Sequence, residues 1–154
     1  MTDRVVEEAV RIDRTVNEVF AAWTSGARLA AWFAPMGATP PDVEMQFEQG
    51  GKFRIVMDLG PGGIHITRGH FVEIVEHKLI RMSWQCDAWA DPPSEVEVRF
   101  EADGQATIVK VRHRGITSPL AEEGQKFGWQ ACLAGLAAAL SDSPDRTATT
   151  DQRP

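Results

Sequence analysis

Hydrophobic and polar residues alternate along most of this chain, with apolar side chains at every second position. Val96, Val98 and Phe100, for example, are separated by charged residues. Such alternation is typical of β-strands that have one buried face and one solvated face. It recurs in six stretches, at residues 43–47, 53–59, 64–75, 79–86, 95–101 and 106–114. Short turn signals such as Asp103-Gly104 separate these stretches, so the pattern predicts six strands in an antiparallel meander.

The period changes near the end of the chain, where residues 127–140 read FGWQACLAGLAAAL. Apolar residues recur there at the spacing of one helical face, namely Trp129, Cys132, Leu133, Leu136 and Leu140. This spacing predicts a long helix from about residue 120 to about residue 140. Because so few of its residues are polar, other parts of the protein must cover it on most sides.

The segment before the meander predicts one strand and two short helices. Residues 4–12 mix Val and Ile with charged residues, as a strand does. Thr15, followed three residues later by Glu18, predicts a capping box at the start of the first helix. The second helix is expected from about Ala27 to about Phe33, after the break at Ser25-Gly26.

The last helix is the only predicted element large enough to cover the buried face of the meander. A sheet that closes around this helix leaves a space between the two, and we expect the functional site in that space. Residues 142–154 contain too few apolar residues to repay the entropy of ordering, so we expect a disordered tail. Residues 1–141 are then expected to form one domain.

Composition restricts the possible partners. With 22 acidic and 16 basic residues the net charge is −6, which argues against nucleic acid and anionic lipid surfaces as partners. The chain has no run of about 20 apolar residues that could span a membrane. Its first ten residues lack the apolar core of a secretory signal, so we expect a cytoplasmic location. Cys86 and Cys132 lie in apolar contexts and are expected to be buried free thiols.

Several segments, in this order and spacing, resemble a known family. They are Ala-Trp-Thr at 22–24, Leu-Ala-Ala-Trp-Phe-Ala-Pro at 29–35, Gly-Gly-Lys-Phe-Arg at 50–54, Gly-His-Phe-Val-Glu-Ile-Val at 69–75, Leu-Ile at 79–80 and the helix from Gly128 to Leu140. The chain is similar to the activator-of-heat-shock-protein-ATPase-like (AHSA-like) family of the START and birch-pollen-allergen (SRPBCC) superfamily. It departs from the family at Phe33 and Phe71, where Trp and Tyr are often found.

The resemblance implies an α+β helix-grip fold. In that fold, a curved antiparallel sheet of about six to seven strands wraps around a long C-terminal helix, and two short helices follow the first strand. The resemblance also implies that a small, largely apolar ligand binds between the sheet and the helix, and the apolar interior of this chain permits such a ligand. The candidate ligand-binding residues are Trp32, Phe33, Phe53, Ile55, Met57, Ile66, Arg68, His70, Trp84, His113, Phe127, Trp129 and Leu133.

Two polar candidates have an orientation that the alternation leaves open. Arg68 and His70 share a strand face with Ile66, and this face looks either into the cavity or into solvent. His113 shares a face with Val109 and Val111, so we expect it to point inward. It is expected there to be a hydrogen-bonded core residue or a polar contact for the ligand.

The sequence predicts no catalytic residue, no metal site and no cofactor. His65 and His70 fall on opposite faces of one strand, and no closely spaced Cys or His pair suggests zinc. No nucleophile motif or phosphate-binding glycine loop is present.

Two other functions remain open beside ligand binding. The family name implies an interaction module that regulates a chaperone, the heat-shock ATPase. The superfamily also includes polyketide cyclases and aromatases, which implies an enzyme using Arg68, His70 or His113 for proton transfer. The absence of tyrosine makes this enzyme the less favoured alternative. The chain is expected to be a monomer or a homodimer.

Overall fold

The computed structural model describes residues 4–33, 39–87 and 92–141, which form a curved antiparallel sheet, three α-helices and a short 3-10 helix at Gly60–Gly62. The elements are β1 (Arg4–Ile12), α1 (Val16–Ala21), α2 (Gly26–Ala30), β2 (Asp42–Met45), β3 (Lys52–Asp58), β4 (Ile64–Val75), β5 (Leu79–Cys86), β6 (Ser94–Asp103), β7 (Ala106–Ile116) and α3 (Pro119–Ser141). The α+β helix-grip fold expected from the sequence is confirmed. The predicted tail at residues 142–154 lies outside the described residues.

The seven strands lie in the order β1-β7-β6-β5-β4-β3-β2, and every neighbouring pair is antiparallel. Strands β2 to β7 follow one another as the predicted meander, whereas β1 is added at the far edge beside β7. Polar side chains hold α3 to β1. Arg4 Nη1 lies 2.8 Å from Glu122 Oε1, and Gln130 Nε2 donates to Glu8 Oε2 over 3.2 Å.

Side-chain caps begin both short helices. At α1, Thr15 Oγ1 accepts from the backbone N–H of Glu18, while Glu18 Oε1 accepts from the N–H of Thr15 at 3.1 Å. The predicted capping box is therefore present. At α2, Ser25 Oγ accepts from the N–H of Arg28 at 3.2 Å. This helix ends at Ala30, earlier than the sequence indicates, because the next residues continue as a turn.

Gly69 marks a close approach between β4 and β5. A Cβ atom at this position would lie 2.0 Å from the carbonyl oxygen of Ser83, so no other residue fits without moving the backbone. The register of the two strands shifts between Phe71 and Glu73. The close approach is therefore at Gly69, and the bulge lies three residues later.

The inner face of the sheet and α3 enclose the hydrophobic core. Strand β6 buries Val96, Val98 and Phe100, as its alternation predicts. Helix α3 contributes Ala121, Trp129, Cys132, Leu133 and Leu136. Burial of each large apolar side chain contributes about 1.5–3 kcal/mol, which holds the helix against the sheet. Neither α3 nor the shorter described helices combine the length and hydropathy that a bilayer-crossing helix requires.

Candidate ligand cavity

A cavity of about 580 Å³ lies between the first half of α3 and the adjacent ends of β3, β4 and β5. The sheet side and its connecting turn supply Met57, Asp58, Leu59, Gly60, Pro61, His65, Thr67, Trp84 and Cys86. The remaining described lining residues are Phe33, Thr39, Gly124, Gln125, Phe127, Gly128, Trp129 and Cys132. Phe127 is 61% exposed, so it lies at the solvent side of the cavity.

Two glycines of α3 leave space for this cavity. Gly124 and Gly128 are four residues apart and therefore lie on the same side of the helix, where both line the cavity. A Cβ atom built on Gly128 would meet nothing within 4 Å, so the missing side chain leaves open volume. Gly135, one heptad later, has the opposite surroundings, because a Cβ atom there would lie 2.8 Å from the carbonyl oxygen of Trp32.

Three aromatic rings form an apolar wall of the cavity, which we call the aromatic wall: Phe33, Trp84 and Trp129. The ring centroids of Trp84 and Trp129 are 5.2 Å apart. The Phe33 centroid lies 6.2 Å from that of Trp84 and 6.0 Å from that of Trp129. Since each ring is packed against the other two, the wall is preformed and presents a large apolar surface.

Hydrogen bonds fix the position of Trp129 in this wall. Its indole Nε1–H donates to Nδ1 of His113 at 3.0 Å. His113 Nε2 lies 2.7 Å from Ser94 Oγ, and that hydroxyl donates to the carbonyl oxygen of Trp84 at 3.0 Å. Because indole nitrogen only donates, His113 Nδ1 must accept, and the proton is assigned to Nε2. The ring therefore fits this chain of bonds in its neutral form.

Burial favours the uncharged form of two inner side chains, His113 and Cys132. His113 has no exposed surface, and burial lowers its pKa to about 4. Burial raises the pKa of the Cys132 thiol to about 12. Both groups are thus uncharged at neutral pH, and Cys132 is a thiol in the cavity lining without thiolate character.

Strand β4 supplies two polar residues of the lining, and a third, Asp58, ends β3. His65 and Thr67 are two residues apart and share the inner face of the strand. His65 Nε2 lies 3.1 Å from the carbonyl oxygen of Gly62. Asp58 Oδ1 accepts from the backbone N–H of Gly60 at 3.0 Å. Within residues 4–33, 39–87 and 92–141, no three His, Cys, Asp or Glu side chains are grouped to hold a metal ion.

The sequence matches the family described as activator of Hsp90 ATPase homolog 1-like protein over residues 13–141. The chain belongs to this family. The family expected from the sequence is thereby confirmed, and the fold described above is the family fold. No curated protein matches the sequence.

Solved structures from bacteria share this fold. CV1439 from Chromobacterium violaceum is 19% identical with a TM-score of 0.79, over 90% of this chain and 98% of that one. CalU16 from Micromonospora echinospora is 21% identical with a TM-score of 0.68, over 94% and 88%. DynU16, from the dynemicin biosynthetic locus, is 22% identical with a TM-score of 0.72, over 90% of this chain and 47% of that one. At these identities the likeness shows a common fold.

In this family member, five of the predicted ligand-binding residues line the cavity: Phe33, Met57, Trp84, Phe127 and Trp129. Five others lie in the core outside the described lining: Trp32, Phe53, Ile55, His113 and Leu133. Phe53 and Ile55, for example, pack around a void of about 20 Å³, which has room for little more than a water molecule. His113 lies behind two lining residues: Trp129, which donates to it, and Trp84, whose ring centroid is 6.0 Å from its own.

The remaining three predicted residues, Ile66, Arg68 and His70, occupy the outer face of β4. Arg68 and His70 are exposed, and His70 Nδ1 lies 2.9 Å from Ser83 Oγ beside a shallow surface groove. Arg68 and His70, whose orientation the alternation left open, therefore point toward solvent.

Sequence reasoning missed the other described residues of the lining, among them His65, Thr67, Gly124, Gln125 and Gly128. A signal for two of them is present in the sequence. Phe71 is a large apolar residue of β4 and is buried, so residues of the same odd parity, including His65 and Thr67, face inward. The pair of glycines four residues apart in α3 also indicates missing side-chain volume on one side of the helix.

Proposed function

We propose that this protein binds a small, largely apolar molecule in the cavity between α3 and the sheet, as a carrier or sensor. The observation that carries the proposal is the open volume of about 580 Å³ in front of Gly128. This volume lies within the range of about 300–1,000 Å³ that is usual for small-molecule sites. A cytoplasmic location is part of the proposal, because Cys86 and Cys132 are both free thiols, as is usual in a reducing compartment.

The aromatic wall supports an apolar ligand. Phe33, Trp84 and Trp129 offer ring faces that are already held in place, so binding costs little ordering of the protein. A ligand that removes apolar surface from water gains about 25 cal/mol per Å². A few polar side chains at one end would orient it, which is the usual composition of such sites.

The proposal is tested by filling the cavity from the helix side. Gly128→Leu places a side chain in the open volume, and Ala134→Leu places the same side chain on the exposed side of α3. The probe is the uncharged apolar dye N-phenyl-1-naphthylamine, whose fluorescence rises in apolar surroundings. We expect the wild type and Ala134→Leu to bind it equally and Gly128→Leu to bind at least about tenfold more weakly. Undiminished binding by Gly128→Leu, or no binding by the wild type, would contradict the proposal.

The enzyme alternative has less support from the geometry. It requires Arg68, His70 or His113 beside a reacting ligand. Arg68 and His70 lie on the outer face, and both ring nitrogens of His113 are engaged by Trp129 and Ser94.

A chaperone is the second proposed partner, because the matching family is described as activator of Hsp90 ATPase homolog 1-like over residues 13–141. Co-purification of the full chain with an Hsp90-type ATPase and a change in its turnover would support this role. Unchanged ATPase turnover at a saturating concentration of this protein would argue against the chaperone role.

A further inference from the structure

One hydroxyl group that faces the cavity has no hydrogen-bond partner among the described residues. Thr67 is 2% exposed and lines the cavity, and its hydroxyl makes no hydrogen bond within the described parts of the chain, yet this oxygen is not one of the fully enclosed unpaired side-chain atoms. The hydroxyl is therefore open to the cavity, where water or a bound molecule can pair with it. Thr107, the other buried threonine among the described residues, instead donates to the carbonyl oxygen of Arg14 at 2.8 Å. The Thr67 hydroxyl is thus available to a molecule in the cavity.

A second polar group on the same face complements this hydroxyl. Since the carbonyl oxygen of Gly62 can only accept, His65 Nε2 carries the proton of the bond between them. In the neutral ring, Nδ1 is then an acceptor. Residues two apart on a strand lie about 7 Å apart, so one oxygen between His65 and Thr67 can reach both side chains. Together they offer a donor and an acceptor to a single ligand group.

The charges around the cavity restrict that ligand group. Of the lining residues that the structure describes, none is Lys or Arg. The one carboxylate in this set, Asp58, already accepts from the backbone N–H of Gly60. A carboxylate or phosphate entering this space would lose its hydration without gaining a guanidinium or ammonium partner, which is strongly unfavourable. An anionic group is therefore disfavoured, whereas a neutral hydroxyl matches the donor and the acceptor that Thr67 and His65 offer.

We propose, on the basis of the ligand-binding function above, that the cavity selects an uncharged hydroxyl-bearing molecule. Its hydroxyl donates to His65 Nδ1 and accepts from the Thr67 hydroxyl, while its hydrocarbon body lies against the aromatic wall. Thr67 and His65 are thus the residues that determine specificity, and the rings supply the general affinity.

The test compares three probes of one shape: 2-naphthol, naphthalene and 2-naphthoate. Each displaces N-phenyl-1-naphthylamine at neutral pH from the full chain and from Thr67→Val, Thr67→Ser and His65→Phe. Thr67→Val removes the hydroxyl with little change of shape, whereas Thr67→Ser keeps it and serves as the matched control. For the wild type we expect 2-naphthol to bind about threefold to tenfold more tightly than naphthalene, and 2-naphthoate to bind more weakly than 2-naphthol.

The variants separate hydrogen bonding from simple packing. Thr67→Val and His65→Phe should each reduce the preference for 2-naphthol over naphthalene by about threefold or more, with naphthalene affinity retained, and Thr67→Ser should keep the preference. A preference that survives in both Thr67→Val and His65→Phe, or tightest binding by 2-naphthoate, would overturn this inference. Naphthalene binding without any preference for 2-naphthol would overturn this inference but leave the proposed ligand binding intact. Failure of all three probes to bind the wild type would also overturn the proposed function.

Discussion

Trp129 and His113 are joined by a 3.0 Å hydrogen bond from the indole N–H to Nδ1, and this bond connects the cavity wall to the core. The imidazole is neutral because a protonated Nδ1 would face the indole N–H instead of accepting from it. The position of the aromatic wall thus depends on the charge of a histidine that does not itself line the cavity.

The first prediction concerns pH. Burial lowers the pKa of His113 from 6.5 to about 4, so the unfolded chain binds the proton more readily than the folded protein does. The free energy of unfolding should therefore fall as the pH drops from about 6.5 to about 4, by up to about 3 kcal/mol. Urea unfolding of the wild type and of His113→Gln, which does not titrate, measures this difference. Parallel pH curves for the two proteins would contradict it.

The second prediction compares two buried tryptophans. Trp129→Phe removes the donor to His113 and should lower the free energy of unfolding by about 1–3 kcal/mol beyond the change in packing. Trp23→Phe is the matched control, because its buried Nε1 has no hydrogen-bond partner within the described residues. Thermal or denaturant unfolding should therefore show the larger loss for Trp129→Phe. Equal losses would mean that the bond to His113 adds nothing.

The third prediction compares what two buried threonine hydroxyl groups contribute to stability. Thr67→Val should leave the free energy of unfolding within about 0.5 kcal/mol of the wild type in the absence of ligand, because its hydroxyl is open to the cavity and makes no hydrogen bond to a described residue. Thr107→Val should lower it, since that hydroxyl donates to Arg14 at 2.8 Å. Differential scanning calorimetry of both variants provides the comparison. Destabilisation by Thr67→Val would indicate a structural role for its hydroxyl.

The fourth prediction uses two glycines of the same helix. Gly128→Ala should raise the free energy of unfolding by about 0.5–1 kcal/mol, because alanine favours the helix and the new Cβ meets open space. Gly135→Ala should lower it, because the new Cβ would lie 2.8 Å from the carbonyl oxygen of Trp32. Melting temperatures of the two variants should move in opposite directions. A rise for both would show that α3 does not approach Trp32 this closely, and a fall for both would show that the space beside Gly128 is not open.

Much of the fold could be predicted because local patterns encode it. The alternation of β6, the Thr15–Glu18 capping box and the apolar spacing from Trp129 onward each specify an element without reference to distant residues. Their order then leaves few ways to cover the buried face of the sheet.

The cavity could be predicted only in part, for a geometric reason. Phe53, Ile55 and Met57 share one strand face, yet only Met57 reaches the open volume. Which residue along a strand meets empty space depends on where α3 crosses and on the missing side chains of its glycines, and neither is a local pattern. The orientation of β4 was ambiguous for a different reason. Its outer face carries Ile64 and Ile66 beside Arg68 and His70, and its inner face carries His65 and Thr67, so hydropathy alone does not distinguish the two sides.

The placement of β1 at the sheet edge has a consequence for biosynthesis. Arg4 pairs with Ile116 and Ile12 with Thr107, so the first strand of this chain meets its neighbour only when β7 is available. Because the amino-terminal end leaves the ribosome first, β1 has no neighbouring strand until the whole meander has been translated. Final closure of the domain is thus a late event, and chains terminated before β7 expose a ready template for aggregation.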